Sequence, residues 1–273
     1  MMTNTASSKS KLLKPKLRTL CVALCAIMGA LPAASQNYSD VIDAEILPGW
    51  QRADGTHMAG LQLTLAPGWK TYWRAPGDGG IPPRFNWSGS RNLADVQVQY
   101  PTPKVMDQNG IQSIGYDHDV VFPLSVTAKD ASQPIQLSGV IEIGVCEEIC
   151  IPYTLDVTGV LPATGAHDAE IAAGMSDRPA DGGQFACRIE PISDGLRVVA
   201  QARVARMSGE AAVVEGGIYG TWVSQAVLKR KGETLSAMVE MVPPTAQPFA
   251  LARNEVRLTV IGREGAVEFI GCQ

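Results

Sequence analysis

Two cysteines four positions apart, set between two strand-forming runs, limit this chain more than any other feature. Cys146 and Cys150 stand in Val145-Cys146-Glu147-Glu148-Ile149-Cys150-Ile151-Pro152-Tyr153. Val140-Ile141-Glu142-Ile143-Gly144-Val145 leads in, and Tyr153-Thr154-Leu155-Asp156-Val157 leads out. Along one straight strand, positions four apart lie about 13 Å from each other. A disulfide needs Cα atoms about 4.4–6.8 Å apart. Either the cysteines do not pair, or the chain turns between them. Glu147-Glu148-Ile149 suits a three-residue hairpin loop, which would set Cys146 opposite Cys150 at cross-strand distance. A pair at a hairpin tip is accessible, and it closes too small a loop to gain much chain-entropy stabilisation. Redox exchange fits such a pair; a structural clip and metal ligation are the alternatives.

The compartment follows from the N-terminus. Residues 1–35 read as an export signal. Lys9, Lys11, Lys14, Lys16 and Arg18 form a basic segment without an acid, Leu20 to Leu31 is a short apolar run, and Ala33-Ala34-Ser35 offers small residues for cleavage. The apolar run is short for a membrane span. Cleavage after Ser35 removes five positive charges, taking the net charge from −4 to −9, which argues against nucleic-acid binding. It also removes Cys21 and Cys25. Four cysteines remain, an even number that suggests two disulfides in an oxidising space. Of the three possible pairings, sequence separation favours Cys146–Cys150 with Cys187–Cys272.

From Tyr38 onward the chain reads as short strands and turns. Leu61-Gln62-Leu63-Thr64-Leu65 and Val96-Gln97-Val98-Gln99-Tyr100 alternate with period two. Ala66-Pro67-Gly68, Pro76-Gly77-Asp78-Gly79-Gly80 and Asp107-Gln108-Asn109-Gly110 supply turn chemistry. Long amphipathic helices are missing, so the expected class is all-β, built as sandwiches. The expected division is a first sandwich over 36–162, a linker over 163–183 holding at most a short helix around Ala169–Met175, and a second sandwich over 184–273. A Cys187–Cys272 bond would tie the first strand of that second unit to its last. It would close a loop of roughly 86 residues, for which the chain-entropy model gives about 4–5 kcal/mol.

Several motifs in order resemble a known family. They are Pro67-Gly68-Trp69-Lys70-Thr71-Tyr72-Trp73-Arg74-Ala75-Pro76-Gly77-Asp78, Pro82-Pro83, Trp87, Gly115-Tyr116, Val121-Phe122-Pro123-Leu124 and Cys146…Cys150-Ile151-Pro152-Tyr153. Together they are similar to the periplasmic N-terminal domain of DsbD thiol:disulfide interchange proteins, and more closely to the ScsB-like branch linked to suppression of copper sensitivity. The resemblance implies two immunoglobulin-like β-sandwich domains in tandem, periplasmic localisation and a protein-disulfide reductase type of activity. It also implies partners: a transmembrane electron-carrier protein upstream and periplasmic thioredoxin-like proteins downstream. The cysteines here stand closer together than in DsbD itself. With the chain ending at Gln273 and no Cys-x-x-Cys present, the membrane and thioredoxin modules are expected on separate proteins. No cofactor or metal is expected, and the protein is expected to be a monomer.

The chemistry expected at the site is thiol–disulfide exchange, with an attacking thiolate, an accessible disulfide and a resolving cysteine. By the resemblance, Cys150 attacks. Negative charge from Glu147 and Glu148 disfavours a thiolate, which would leave the pair comparatively reducing; the alternative is that the two are only solvated. The resemblance also implies a cap loop over the cysteines, placed by chain order at Asp107, Gln108, Asn109, Gly110 and Ile111. Tyr116 and Tyr153 either pack over the disulfide or are ordinary sandwich aromatics. Trp69, Tyr72, Trp73 and Trp87 read as core and strand-edge packing, and Arg74 with Asp78 as a local ion pair ordering the Pro-Gly loop. His57, His118 and His167 lack metal-ligand spacing. The competing functional reading is a non-catalytic binding module, or a Cu(I)-handling protein with structural disulfides, since thiolates favour Cu(I).

Overall fold

The structure is a computed structural model that describes residues 40–273 other than Asp78 and Asn109, with the backbone alone at Gln108 and Ile111. The segment expected to be an export signal, with Cys21 and Cys25, lies outside the described residues. The rest is all-β. In the first half, β1 runs Ile42–Gln51, β2 His57–Leu65, β3 Lys70–Tyr72, β4 Arg84–Asn86 and β5 Leu93–Val98. Then come β6 Lys104–Gln108, β7 Ile111–Tyr116, β8 Val120–Ala128, β9 Ile135–Cys146 and β10 Cys150–Leu161. One sheet has the order β1-β2-β8-β5; the other has β10-β9-β3-β7-β6, with β4 also on β9. The turn after β2 falls where the sequence suggests. Pro67-Gly68 closes a turn in which Trp69 N–H donates to the Ala66 carbonyl at 3.0 Å, and Gly68 takes a φ of +85° that favours glycine.

The two sheets meet across apolar faces. Leu61, Leu63, Phe122, Leu124 and Val126 from one are wholly buried with Ile141 and Val145 from the other. Phe122 receives Tyr116 edge-on at 5.4 Å and Phe85 at 6.4 Å between ring centroids, a geometry aromatic rings prefer. Core residues in β9 alternate with exposed ones as far as Ile143, after which Gly144, Val145 and Cys146 are all buried. At that end the sheet is therefore covered on both faces.

Residues 163–183, read from sequence as a linker, hold more structure than a tether. Helix α1, Ala169–Ser176, starts on Asp168, whose carboxylate accepts from the Glu170 and Ile171 N–H groups, a normal N-cap. Ile171 is fully buried against Gly60 of β2, where an added Cβ would lie only 2.9 Å from it. Strand β11, Ala180–Ile192, begins before residue 184. The strands that follow are β12 Gly195–Arg203, β13 Ala211–Glu215, β14 Trp222–Val223, β15 Val227–Lys231, β16 Thr234–Val242, β17 Arg257–Gly262 and β18 Gly265–Cys272.

Strand β11 divides its length between two sets of partners. Ala180–Phe185 runs parallel to β18, and Ala186–Ile192 runs antiparallel to β12. Register irregularities fall on either side of Gly183, just before the change of partner. The halves on either side of β11 share one buried cluster, in which Val198, Ala237, Val239 and Met241 meet Val214, Leu258, Val260 and Phe269. Cys187 and Cys272 are disulfide-bonded, with Cα atoms 5.4 Å apart.

Candidate functional site

Cys146 ends β9 and Cys150 begins β10. The two are register partners, their Cα atoms are 4.1 Å apart, and they form a disulfide. The three residues between them make the tip, where the Glu147 N–H donates to the Ile149 carbonyl at 3.2 Å. Glu147, Glu148, Ile149 and Cys150 are exposed, whereas Cys146 is 1% exposed. Thus Cys150 presents surface at the hairpin tip and Cys146 presents almost none.

What covers the site comes from β3. Tyr72 stands in the row of Gly115 on β7 and lies across Gly144 of β9. A Cβ at Gly144 would sit 2.9 Å from the Tyr72 ring and 2.7 Å from Ile81. The absent side chain makes room for the ring to cross the sheet, a usual reason for glycine inside a strand. The ring is 2% exposed. Its hydroxyl ends 3.1 Å from Cys150 Sγ and 3.4 Å from the Gly79 carbonyl. Burial raises the Tyr72 phenol above its ordinary value, so it stays a neutral O–H donor. Against a disulfide sulfur this donor has little to gain. Against a Cys150 thiolate it would make a charge-assisted bond, which favours the thiolate.

The other residues singled out from sequence lie elsewhere. Tyr116 belongs to the sandwich core: it is 1% exposed, and its hydroxyl donates to the Pro101 carbonyl at 2.9 Å. Tyr153 pairs with Ile143, three rows from the disulfide, and is half-buried. Asp107–Ile111 forms the β6–β7 hairpin, with the Gly110 N–H donating to the Asp107 carboxylate at 3.1 Å; Asn109 lies outside the described residues. The register pairs Tyr116 with Thr71, and Thr71 with Val145. That hairpin tip therefore falls about six rows, roughly 20 Å of strand, from the row of Cys146. Among the described residues Tyr72 meets the Cys150 sulfur, with Gly79 and Gly80 against Tyr72 and Ile81 beside it over Gly144, whereas the register sets the expected cap hairpin toward the far end of the sheet. Sequence reading missed Tyr72 because it looked like any core aromatic; the signal that could have found it was Gly144 interrupting a β-branched run just before Cys146.

The described ion-pair partners of Arg74 lie in the second half of the chain. Its Nε and Nη2 each donate at 2.9 Å to the Glu215 carboxylate, and Nη2 also reaches Glu268. Asp78 lies outside the described residues. Burial opposes the Arg74 charge, but Glu215 and Glu268 more than offset it and hold the guanidinium above its ordinary value. No three His, Cys, Asp or Glu side chains gather as a metal site among the described residues. Nor is any helix among them long and apolar enough to cross a membrane.

An all-β frame presenting a half-exposed disulfide at a hairpin tip, under a tyrosine hydroxyl, defines a class: modules of thiol:disulfide interchange. Residues 43–162 match the family described as thiol:disulfide interchange protein DsbD, N-terminal. No curated protein matches the chain. Among solved structures, the N-terminal periplasmic domain of ScsB from Proteus mirabilis is similar, at 23% identity and a TM-score of 0.59, covering 85% of this chain and 92% of that one. At that identity the likeness is one of fold, and its extent takes in both β-rich halves.

The Tyr72 geometry gives a direct expectation. In the reduced protein, Tyr72→Phe should slow alkylation of Cys150 near neutral pH roughly tenfold, since hydrogen bonds to charged groups contribute about 1.5–3 kcal/mol. The pH–rate profile of alkylation should move to higher pH. An unchanged profile would mean that the hydroxyl only fills space.

Proposed function

We propose that this chain is a periplasmic thiol:disulfide interchange protein of the reductase type. The Cys146/Cys150 pair takes electrons from a transmembrane carrier and passes them to thioredoxin-like proteins. The supporting observation is the unequal setting of the pair, with Cys150 exposed and carrying the Tyr72 hydroxyl while Cys146 is buried. Cys150 attacks as a thiolate, breaks the partner's disulfide and forms a mixed disulfide. Cys146 then attacks Cys150, re-forms Cys146–Cys150 and releases the partner with both its thiols. Two electrons leave this chain, and the carrier restores them by the reverse exchange. Glu147 and Glu148 keep the pair reducing by withholding positive charge from the thiolate. Cys187–Cys272 is structural. The frame is a tandem of immunoglobulin-like domains, exported by the segment ahead of Ser35.

Graded reduction tests this reading. Mild reductant should open Cys146–Cys150 in the folded protein while Cys187–Cys272 persists, with the bonds followed by mass mapping. Equal resistance of the two bonds would sink the redox reading and favour a binding module held by two clips.

A further inference from the structure

We infer that Arg74, held by Glu215 and Glu268, is a positioning residue for the redox site, through which the second half of the chain sets how firmly Tyr72 is held against the Cys150 sulfur. The inference deepens the proposed function, since it concerns access to that same disulfide.

The argument starts from where Arg74 sits. β3 ends at Tyr72, the residue that touches Cys150. Two hydrogen bonds flank the next residues: the Trp73 N–H donates to the Ile114 carbonyl at 3.0 Å, and the Ile114 N–H donates to the Pro76 carbonyl at 2.9 Å. Arg74 and Ala75 bulge out between those anchors. After them the chain returns, and Gly79 and Gly80 lie against the Tyr72 ring. The orientation of Arg74 therefore sets both ends of the cover, the ring before it and the glycines after it.

Arg74 is itself over-determined. Its guanidinium lies 4.0 Å over the Trp73 ring and makes a two-pronged bond to Glu215. Such planar, bidentate contacts fix direction as well as charge. Glu215 ends β13 and Glu268 lies on β18. Glu268 is oriented in turn by Arg257 at 3.3 Å and Thr259 at 3.5 Å. Side chains of the three central residues are 17–21% exposed, so solvent screens them only in part.

Packing holds the buried Tyr72 and Trp73 rings, but not the far side of the loop that returns behind them. A cleft of about 440 Å³ separates Pro76, Gly77 and Gly80 from residues 212–216 and 221–226. The rear of the cover thus faces open space. Among the described residues an exposed bond between Gln225 and Gln112, at 2.9 Å, also spans the gap. A simple ion pair between halves would need no such place at the root of the cover.

The test reads access to sulfur without any partner protein. A water-soluble phosphine should reduce Cys146–Cys150 in Arg74→Met roughly five- to thirtyfold faster than in the parent, the change in open population expected from losing one locally stabilising contact. Arg74→Lys keeps the charge without the fork and should fall between. Glu215→Gln provides a second variant should Arg74→Met fail to fold, and it should act in the same direction. A merely structural role would lower the unfolding midpoint and leave the native-state rate alone. It would also leave the effects of Arg74→Met and Tyr72→Ala additive, whereas a positioning role makes them strongly non-additive. Folded variants that react at the parent rate would overturn the inference. Because the phosphine assay needs no partner, that failure would leave the exchange reading intact, and a failure to trap a partner would leave this inference intact.

Discussion

Cys146→Ala should accumulate a covalent complex with its redox partner in cells, while Cys150→Ala should form none, and both should lose turnover completely. The expectation rests on the unequal exposure of the two residues. An incoming disulfide can approach Cys150 at the hairpin tip, whereas Cys146 is 1% exposed. Exchange requires a thiolate in line with the bond it breaks, so the accessible residue makes the mixed disulfide and the buried one resolves it. Removing the resolving cysteine stalls the reaction after the first step. Removing the attacking cysteine prevents that step. Non-reducing electrophoresis of periplasmic extract, with the trapped band identified by mass, reads the outcome. A complex formed only by Cys150→Ala would exchange the two roles. No complex from either folded, exported variant would contradict the proposed function.

Replacing Cys187 and Cys272 together by alanine should lower the free energy of unfolding by about 4–5 kcal/mol, against about 2 kcal/mol for replacing Cys146 and Cys150, on the same chain-entropy model. The two bonds differ in the chain they close, with sequence separations of 85 and 4. A loss of that size is a large fraction of the stability of an ordinary domain. Denaturant titration of both double variants measures it. Equal losses would mean that loop closure is not what the long-range bond contributes.

The hairpin was legible in the sequence because everything that specifies it is local. Four-residue spacing, strand-forming flanks and the geometry of a disulfide leave one arrangement in which Cys146 and Cys150 pair. The Pro67-Gly68 turn was legible for the same reason. Tyr72 was not, because what makes it a site residue is contact with Cys150, 78 positions away. Arg74 was read against Asp78, a neighbour in sequence, yet its described partners are 141 and 194 positions on. The cap at Asp107–Ile111 followed from order along the chain, and order does not say at which end of a sheet a hairpin points. Gly182-Gly183 suited a linker, but they lie inside β11, where its register with β18 breaks before it joins β12.

That division of β11 bears on how the protein is made. Its first half cannot complete its pairing until Gly265–Cys272 exists, because β18 is its parallel neighbour. Its second half needs only β12, which follows directly. On an elongating chain the β11–β12 hairpin can therefore form early, while the opposite layer of the same core waits for the last strand, as non-local pairings do. Until then the apolar faces of β12 and β16 lack Phe269 and the rest of the last strand's share of their cover. The half of the protein that anchors Arg74 is thus the half that matures last, and the redox hairpin is synthesised well before the residues that fix its cover.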